Sequence, residues 1–491
     1  MKTKLYRYVI ALAMIASMVS CEEMLELDPI SDNTTVNAYK TASDAEAALV
    51  GVYDSFQQEY YVWDNIIFND VISDNYYAGG DDPQIFAVDN LNITPTNGRL
   101  FNNWSQLYSA IAKANVVLQK VPDIDDPSLS EERKNQILGE ASFLRAFHYY
   151  QLVKMWGGVP LVLESGSTDP DVTNKERSAE EEIYAQIIAD LDFAVANLPD
   201  VYTDDASVNK ARATKGAAHA LLAKVWAQKS DRDYNKVLEH ANAVINSPAG
   251  YALLDNYNHL FDGNHYNNNE SILEIQYTGG TEANWGPQLL LPPSVSGDSW
   301  RKFVTPSHDL VNAFDSEGDV VRKNASILFE EAPWSDEYWS LAVNGQVPFA
   351  YKWKSANGWA STNRQYLLRL ADIILLKAEA LNELGQLEDA RAEVDRVRAR
   401  VGLNGTDASD KATMKLAIEN ERRLELAQEG QRWDDLKRYG RAVEVMNSLV
   451  EVDLRTGTPK VYNMTPEKLL LPVPQSERDR NPRLGQNTGY N

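Results

Sequence analysis

The sequence predicts a mainly α-helical fold, built from helix–turn–helix repeats and interrupted by an irregular insertion of loops and short strands. Three observations carry that expectation. Apolar residues recur at helical spacing over much of the chain. Two segments place a short polar turn between two such stretches. Residues 251–362 break the pattern with Asn-rich and Gly-rich stretches, Pro292-Pro293 and brief alternating pieces. At 491 residues, 44% hydrophobic and 24% charged, the chain can bury a large core without disulfides.

In chain order, Lys2, Lys4 and Arg7 precede an apolar run over residues 8–18 that is short for a bilayer span, and small Ser20 stands before Cys21. Basic, apolar and small residues in that order predict a secretory leader over residues 1–20. Cys21 is the single cysteine, and Met18-Val19-Ser20-Cys21 resembles a bacterial lipobox, whose cysteine becomes the acylated first residue of the mature chain. Met18 departs mildly from the usual leucine. The bland alternative is an ordinary leader with an incidental cysteine. Acyl chains contribute about 0.8 kcal/mol per buried CH2, so two or more would hold the protein on a membrane. Glu22 and Glu23 resemble the surface-export signal of Bacteroidetes lipoproteins, and residues 21–41 read as a polar tether.

Residues 42–491 are expected to form one domain. A helix start at Ser43 leads into Ala45, Ala48, Leu49, Val52 and Tyr53 at helical spacing. Residues 70–98, rich in Gly, Asp, Asn and Pro, read as loop. Helical periodicity returns over 104–118 and 131–155, where Gly157-Gly158 stops it. Further helices are expected over 178–197, 411–428 and 432–445. The first repeat covers 214–245 and turns at Ser230-Asp231-Arg232-Asp233; the second covers 368–401 and turns at Leu384-Gly385-Gln386. Gly385, Leu387 and Ala390 keep the small–bulky–small spacing of a tetratricopeptide turn. Alternation at 271–277 and 349–353 predicts short strands.

Charge and motif content exclude several functions. With 71 acidic and 47 basic residues and a formal charge of -24, the chain repels phosphate backbones and anionic headgroups, so no nucleic-acid partner is expected. The acidity fits a neutral ligand, and it also fits plain solubility. His148, His219, His240, His259, His265 and His308 form no zinc-protease pattern, and no nucleophile elbow or phosphate-binding loop is present. Asp262, Asn264, Asn267, Asn268 and Glu270 offer clustered oxygens for calcium, yet their spacing fits no EF-hand and an Asn-rich turn is the plainer reading. No catalytic residue, metal site or cofactor is expected.

Six of eleven tryptophans, Trp285, Trp300, Trp334, Trp339, Trp353 and Trp359, lie in the insertion, where a loop-rich region has little core to fill. Sugar rings stack their C–H faces on aromatics and bond their hydroxyls to Asp, Asn and backbone groups. Three candidate surfaces follow. In loop 69–82, Tyr76 and Tyr77 offer a platform, Asp74 and Asn75 directional bonds, and Gly79-Gly80 a close backbone approach. Trp285 with Trp300 is the second, and Trp359 within 357–363 the third. Trp353 alternates with Phe349 and Tyr351 like the inner face of a strand and is left to the core.

Five blocks, in order, resemble the signatures of the SusD/RagB family. They are 139–150 running on to Trp156-Gly-Gly-Val-Pro-Leu161, 212–224, 369–380, 419–436 and the tail from Leu470-Leu-Pro-Val-Pro474 to Tyr490. With the lipoprotein start they span essentially the whole mature chain. The resemblance implies about four tetratricopeptide-like helix pairs, with ligand contacts from the early loop and the middle insertion. It implies capture of a neutral glycan at the outer-membrane surface, without catalysis, for a SusC-like TonB-dependent transporter. Trp334 and Trp339 could equally line that transporter interface. The rivals are a peptide-capturing, RagB-like member, a surface glycosidase, and a scaffold that binds only protein. The blocks themselves are scaffold: Arg145, Arg422, Arg423 and Glu425 fall among apolar helix residues, where buried ion pairs are expected.

Overall fold

Local capping chemistry starts and stops the helices. In the computed structural model, which describes residues 38–166, 174–298, 302–342 and 345–490, helix α1 (Ala42–Tyr53) opens on a capping box between Thr41 and Asp44. Helix α2 spans Gly98–Lys120. Helix α3 (Glu131–Trp156) is capped by the Ser130 side chain and ends at Gly157, whose φ of 71° suits glycine. After α4 (Glu180–Asn197) comes the first repeat, α5 (Lys215–Gln228) and α6 (Tyr234–Ile245), with Thr214 and Asp233 as caps. The second repeat is α7 (Leu370–Glu383) and α8 (Leu387–Arg400), turning at Gly385 with φ 79°. Then follow α9 (Lys411–Glu425) and α10 (Arg432–Tyr439). The helix expected over 432–445 is broken, because Gly440 adopts φ 73° before a separate turn of helix at Ala442–Ser448.

Consecutive helices stack: α2 on α3, α3 on α4, α4 on α5, α5 on α6, α6 on α7, and α9 against both α7 and α8. The turns inside the two repeats are too short for anything but antiparallel neighbours. One large apolar core runs through this stack, carrying Phe143, Leu144, Leu221, Leu222, Ile373 and Ile374. The fold is thus mainly α with tetratricopeptide-like stacking, as the periodicity predicts.

The insertion is more ordered than its composition suggests. Among the described residues, strands pair two by two and antiparallel: β1 (Tyr76–Ala78) with β3 (Val304–Pro306), β2 (Ser271–Ile275) with β6 (Gln365–Arg369), and β4 (Ile327–Glu331) with β5 (Gln346–Ala350). Helices at His308–Glu317 and Val320–Ser326 fill the interval between them.

Ion pairs tie the scaffold blocks together. Arg145 donates to both oxygens of Asp190 at 2.8 and 2.7 Å, and Arg422 to both oxygens of Asp435 at 2.9 and 3.0 Å. Glu425 is completely buried and accepts from Arg369 at 2.6 Å, from Arg322 at 3.1 Å and from Arg400. These charges serve the core, as their apolar surroundings predict. The leader over 1–20, the lipidation residue Cys21 and the tether as far as residue 37 lie outside the described residues. No helix among the described residues is long and apolar enough to cross a membrane.

Candidate functional site

The early segment is scaffold, which corrects the first candidate surface. Asp74, Asn75, Tyr76 and Tyr77 are each 1% exposed. Asp74 is clamped by Arg432, and Arg423 stands 3.2 Å from it. Burial alone would raise its carboxyl pKa, but the two guanidinium groups hold it well below the usual carboxylate range. Asn75 Oδ1 accepts from Arg423 Nε at 2.7 Å. Tyr76 and Tyr77 sit in β1, opposite Pro306 and Thr305, and the Tyr77 hydroxyl bonds Asp336. Gly79 does admit a close approach, but by the chain itself: a Cβ there would lie 1.9 Å from the Lys302 carbonyl oxygen. The stretch expected as loop also holds a helix at Pro83–Asp89.

The Trp285 part of the second surface meets the third. Asn284 pairs with Ser361 in an antiparallel bridge, its amide nitrogen donating to the Ser361 carbonyl at 2.9 Å. Its side chain donates to the Asn363 carbonyl at 2.8 Å and accepts from the Gly286 N–H at 3.1 Å. One asparagine therefore joins the strip bearing Trp285 to the strip bearing Trp359. A Cβ on Gly286 would meet the Trp353 ring at 2.9 Å, so buried Trp353 floors this junction, in keeping with its core assignment.

Trp285 is half-buried and meets Trp63 edge to face, with ring centroids 6.0 Å apart at 68°. Trp63 in turn packs on Phe303 at 5.8 Å and carries the Arg99 guanidinium 4.9 Å above its ring. Arg99 is held by Asp64 at 2.6 Å and Asp82 at 2.7 Å. Burial pushes the Asp64 carboxyl up to about 7, against the pull of Arg99. Trp359 is 41% exposed, and its backbone takes φ 76° directly after Asn357 at 46° and Gly358 at 58°. Three successive left-handed residues lead up to and include that ring's own position, at a cost of roughly 1–3 kcal/mol for a bulky side chain.

A third ring was not singled out by the sequence. Tyr266 is partly exposed, donates its hydroxyl to the Thr362 carbonyl at 3.1 Å, accepts from Asn363 Nδ2 at 3.3 Å, and lies under the Arg364 guanidinium at 4.5 Å. An aromatic within the Asn-rich run 264–269 was the available signal. Trp63 had none, since only tertiary packing brings it beneath Trp285. Trp300 lies outside the described residues. Of the remaining tryptophans, Trp334 is 63% exposed, whereas Trp339 is buried and stacks on His308 at 3.6 Å.

Two of the residues considered for calcium are engaged otherwise. Glu270 accepts from Arg369 and Arg400, both at 2.7 Å, and Asn267 Oδ1 accepts from Gln276 and Arg364.

Comparison with known proteins supplies the lineage. Residues 331–490 match the model of the SusD family, and residues 16–226 match a second model, described as starch-binding and associating with the outer membrane. SusD-like protein P38 of Formosa agariphila is 29% identical over 504 residues, covering 96% of each chain. A solved laminarin binding SusD-like protein is 29% identical with a TM-score of 0.75, covering 92% of this chain and 100% of its own. A SusD superfamily protein from Bacteroides vulgatus superposes with a TM-score of 0.78 at 23% identity, over 91% of this chain and 99% of its own. With both ends matched by family models and the stacked-helix scaffold shared, the chain belongs to the SusD/RagB family.

Proposed function

We propose that this protein captures a neutral glycan at the outer-membrane surface, tethered through lipid on Cys21, and passes it to a SusC-like TonB-dependent transporter without cutting it. The observation that carries the reading is the joined Trp285–Trp359 strip, with Tyr266 at its margin. Rings at least partly exposed on stitched backbone suit the flat C–H faces of sugars, and nearby amides and carbonyls suit their hydroxyls. Trp359 combines a strained backbone with an exposed ring, as ligand-contacting residues often do. The buried acids Glu140, Asp190, Asp372, Glu379, Glu425 and Asp434 are bonded to arginine or lysine, which leaves them poorly suited to general acid–base work. A family model named for outer-membrane association supports the location, and the laminarin-binding relative makes β-glucans the first ligands to try.

Calorimetry of the purified protein against laminarin, starch, xylan and mannan tests the reading. One glycan class should bind saturably, and prolonged incubation should release no shorter product. Silence across glycans with saturable binding of oligopeptides would overturn it.

A further inference from the structure

We propose that His259, Asp262 and His265 form a binding site for a divalent transition-metal ion of the zinc class. Their ligand atoms all lie within 4.8 Å of one another, the only such group of three His, Cys, Asp or Glu among the described residues. The sequence spaces them evenly, at i, i+3 and i+6, and Gly263 with φ 79° turns the chain between the carboxylate and the second imidazole. Between the ligands, Leu260 and Phe261 are buried in a small apolar cluster with Tyr257. The donors therefore project from an anchored base, which preorganises them.

Two contacts go beyond proximity. The His259 and His265 rings are stacked 3.7 Å apart and nearly parallel at 9°. The stack places the two imidazoles side by side at one turn. A tetrahedral ion with bonds of about 2.0–2.1 Å keeps its ligand atoms about 3.3 Å apart, so the three donors would draw together and the rings turn out of their stack as it binds. The second contact is between His265 Nδ1 and Asp262 Oδ2, which sit 2.7 Å apart around one shared proton. A metal ion taking that position would displace the proton and be held by both atoms. Asn256 Nδ2 lies 3.1 Å from His259 Nε2, a contact an ion bound at that nitrogen would displace.

Two imidazoles and one carboxylate form a set that favours zinc over calcium or magnesium, which take oxygen ligands. Three protein ligands leave a fourth position for water or an incoming oxygen. The next residue is Tyr266, whose hydroxyl bonds Thr362 and Asn363. An ion here would stiffen the turn that carries this ring of the proposed glycan face.

The test is calorimetry of zinc chloride into the purified protein without an affinity tag, with calcium chloride as comparison. The expected result is one zinc site, no calcium site, and affinity weakened by at least about tenfold in His259→Gln and in His265→Gln. His265 is exposed, so its substitution should leave the helical circular dichroism unchanged. Asp262→Asn provides a second variant. His219→Gln, at the separate His219–His240 pair, should bind zinc like the wild type. Absence of zinc binding by the wild type, unchanged affinity in both histidine variants, or loss in His219→Gln would each overturn the proposal. Glycan affinity, measured separately without metal, distinguishes this failure from failure of the capture reading.

Discussion

Asp74 and Arg432 meet across 358 residues of chain: the guanidinium places Nε 2.7 Å from one carboxylate oxygen and Nη2 2.8 Å from the other. Arg432 also reaches Glu419 at 3.2 Å, and Arg423 bridges Asp74 and Asp309. The link locks the early segment onto α9 and α10, on the scaffold side of the molecule. Removing the carboxylate strands a buried guanidinium, so Asp74→Ala should lower unfolding free energy by about 3–5 kcal/mol in urea titration. Loss of glycan binding with unchanged stability would return Asp74 to the ligand site.

What was legible in the sequence follows from the range of the interactions concerned. Ser130, Thr214 and Gly157 act within a few residues of themselves, and the helix ends they mark appear where expected. Residues 69–82 misled because Gly, Asp and Asn serve equally in exposed loops and as anchors for buried arginines. The deciding partners, Arg423 and Arg432, lie more than 300 residues away. The loop setting of Trp285 and Trp359 singles them out as candidates, but nothing in the sequence announces that Asn284 would bring their strips together.

The two tryptophans should separate by what supports them. Trp359 is exposed, so Trp359→Ala should weaken glycan binding by about tenfold while shifting stability by no more than about 0.5 kcal/mol. Trp285 packs on Trp63, so Trp285→Ala should weaken binding similarly and also cost about 1–3 kcal/mol. Calorimetry with thermal melts on both variants checks this. A large stability loss in Trp359→Ala would mark that ring as packing.

The backbone at position 359 can be probed independently. A left-handed residue costs about 1–2 kcal/mol when it carries a Cβ. Glycine escapes that cost but loses about 0.5–1 kcal/mol more chain entropy on folding. Trp359→Gly should therefore be more stable than Trp359→Ala by about 0.5–1 kcal/mol in the same urea assay, and the reverse order would show that the φ of 76° is not retained.

Gly79 tests whether the early strand is scaffold. Its Cβ would fall 1.9 Å from the backbone oxygen of Lys302, an atom that cannot move aside as a flexible side chain would. Gly79→Ala should force β1 away from the segment leading into β3 and destabilise the protein by about 3 kcal/mol. A soluble variant with wild-type stability would show that this contact is slack.

Acid should unfold the protein through its buried carboxylates. Burial alone would push the Asp434 carboxyl up, but Lys154 at 2.5 Å and Lys437 at 3.1 Å outweigh it and hold the group down to about 2, against 3.8 for a free aspartate. Asp74, Asp372 and Glu425 are also held low, each by at least two basic neighbours. Folding therefore binds fewer protons at these sites than the unfolded chain does. The stability they supply is complete above about pH 5, falls as pH drops through the unfolded value, and is gone once the native groups protonate. For Asp434 alone the swing is about 2 kcal/mol. Urea midpoints measured from pH 6 to pH 2.5 should fall steadily below about pH 4.5, and Lys154→Met should flatten the part of that slope owed to Asp434, because its carboxyl would then titrate nearer its ordinary range. A slope unchanged by Lys154→Met would mean that Lys437 alone holds the charge.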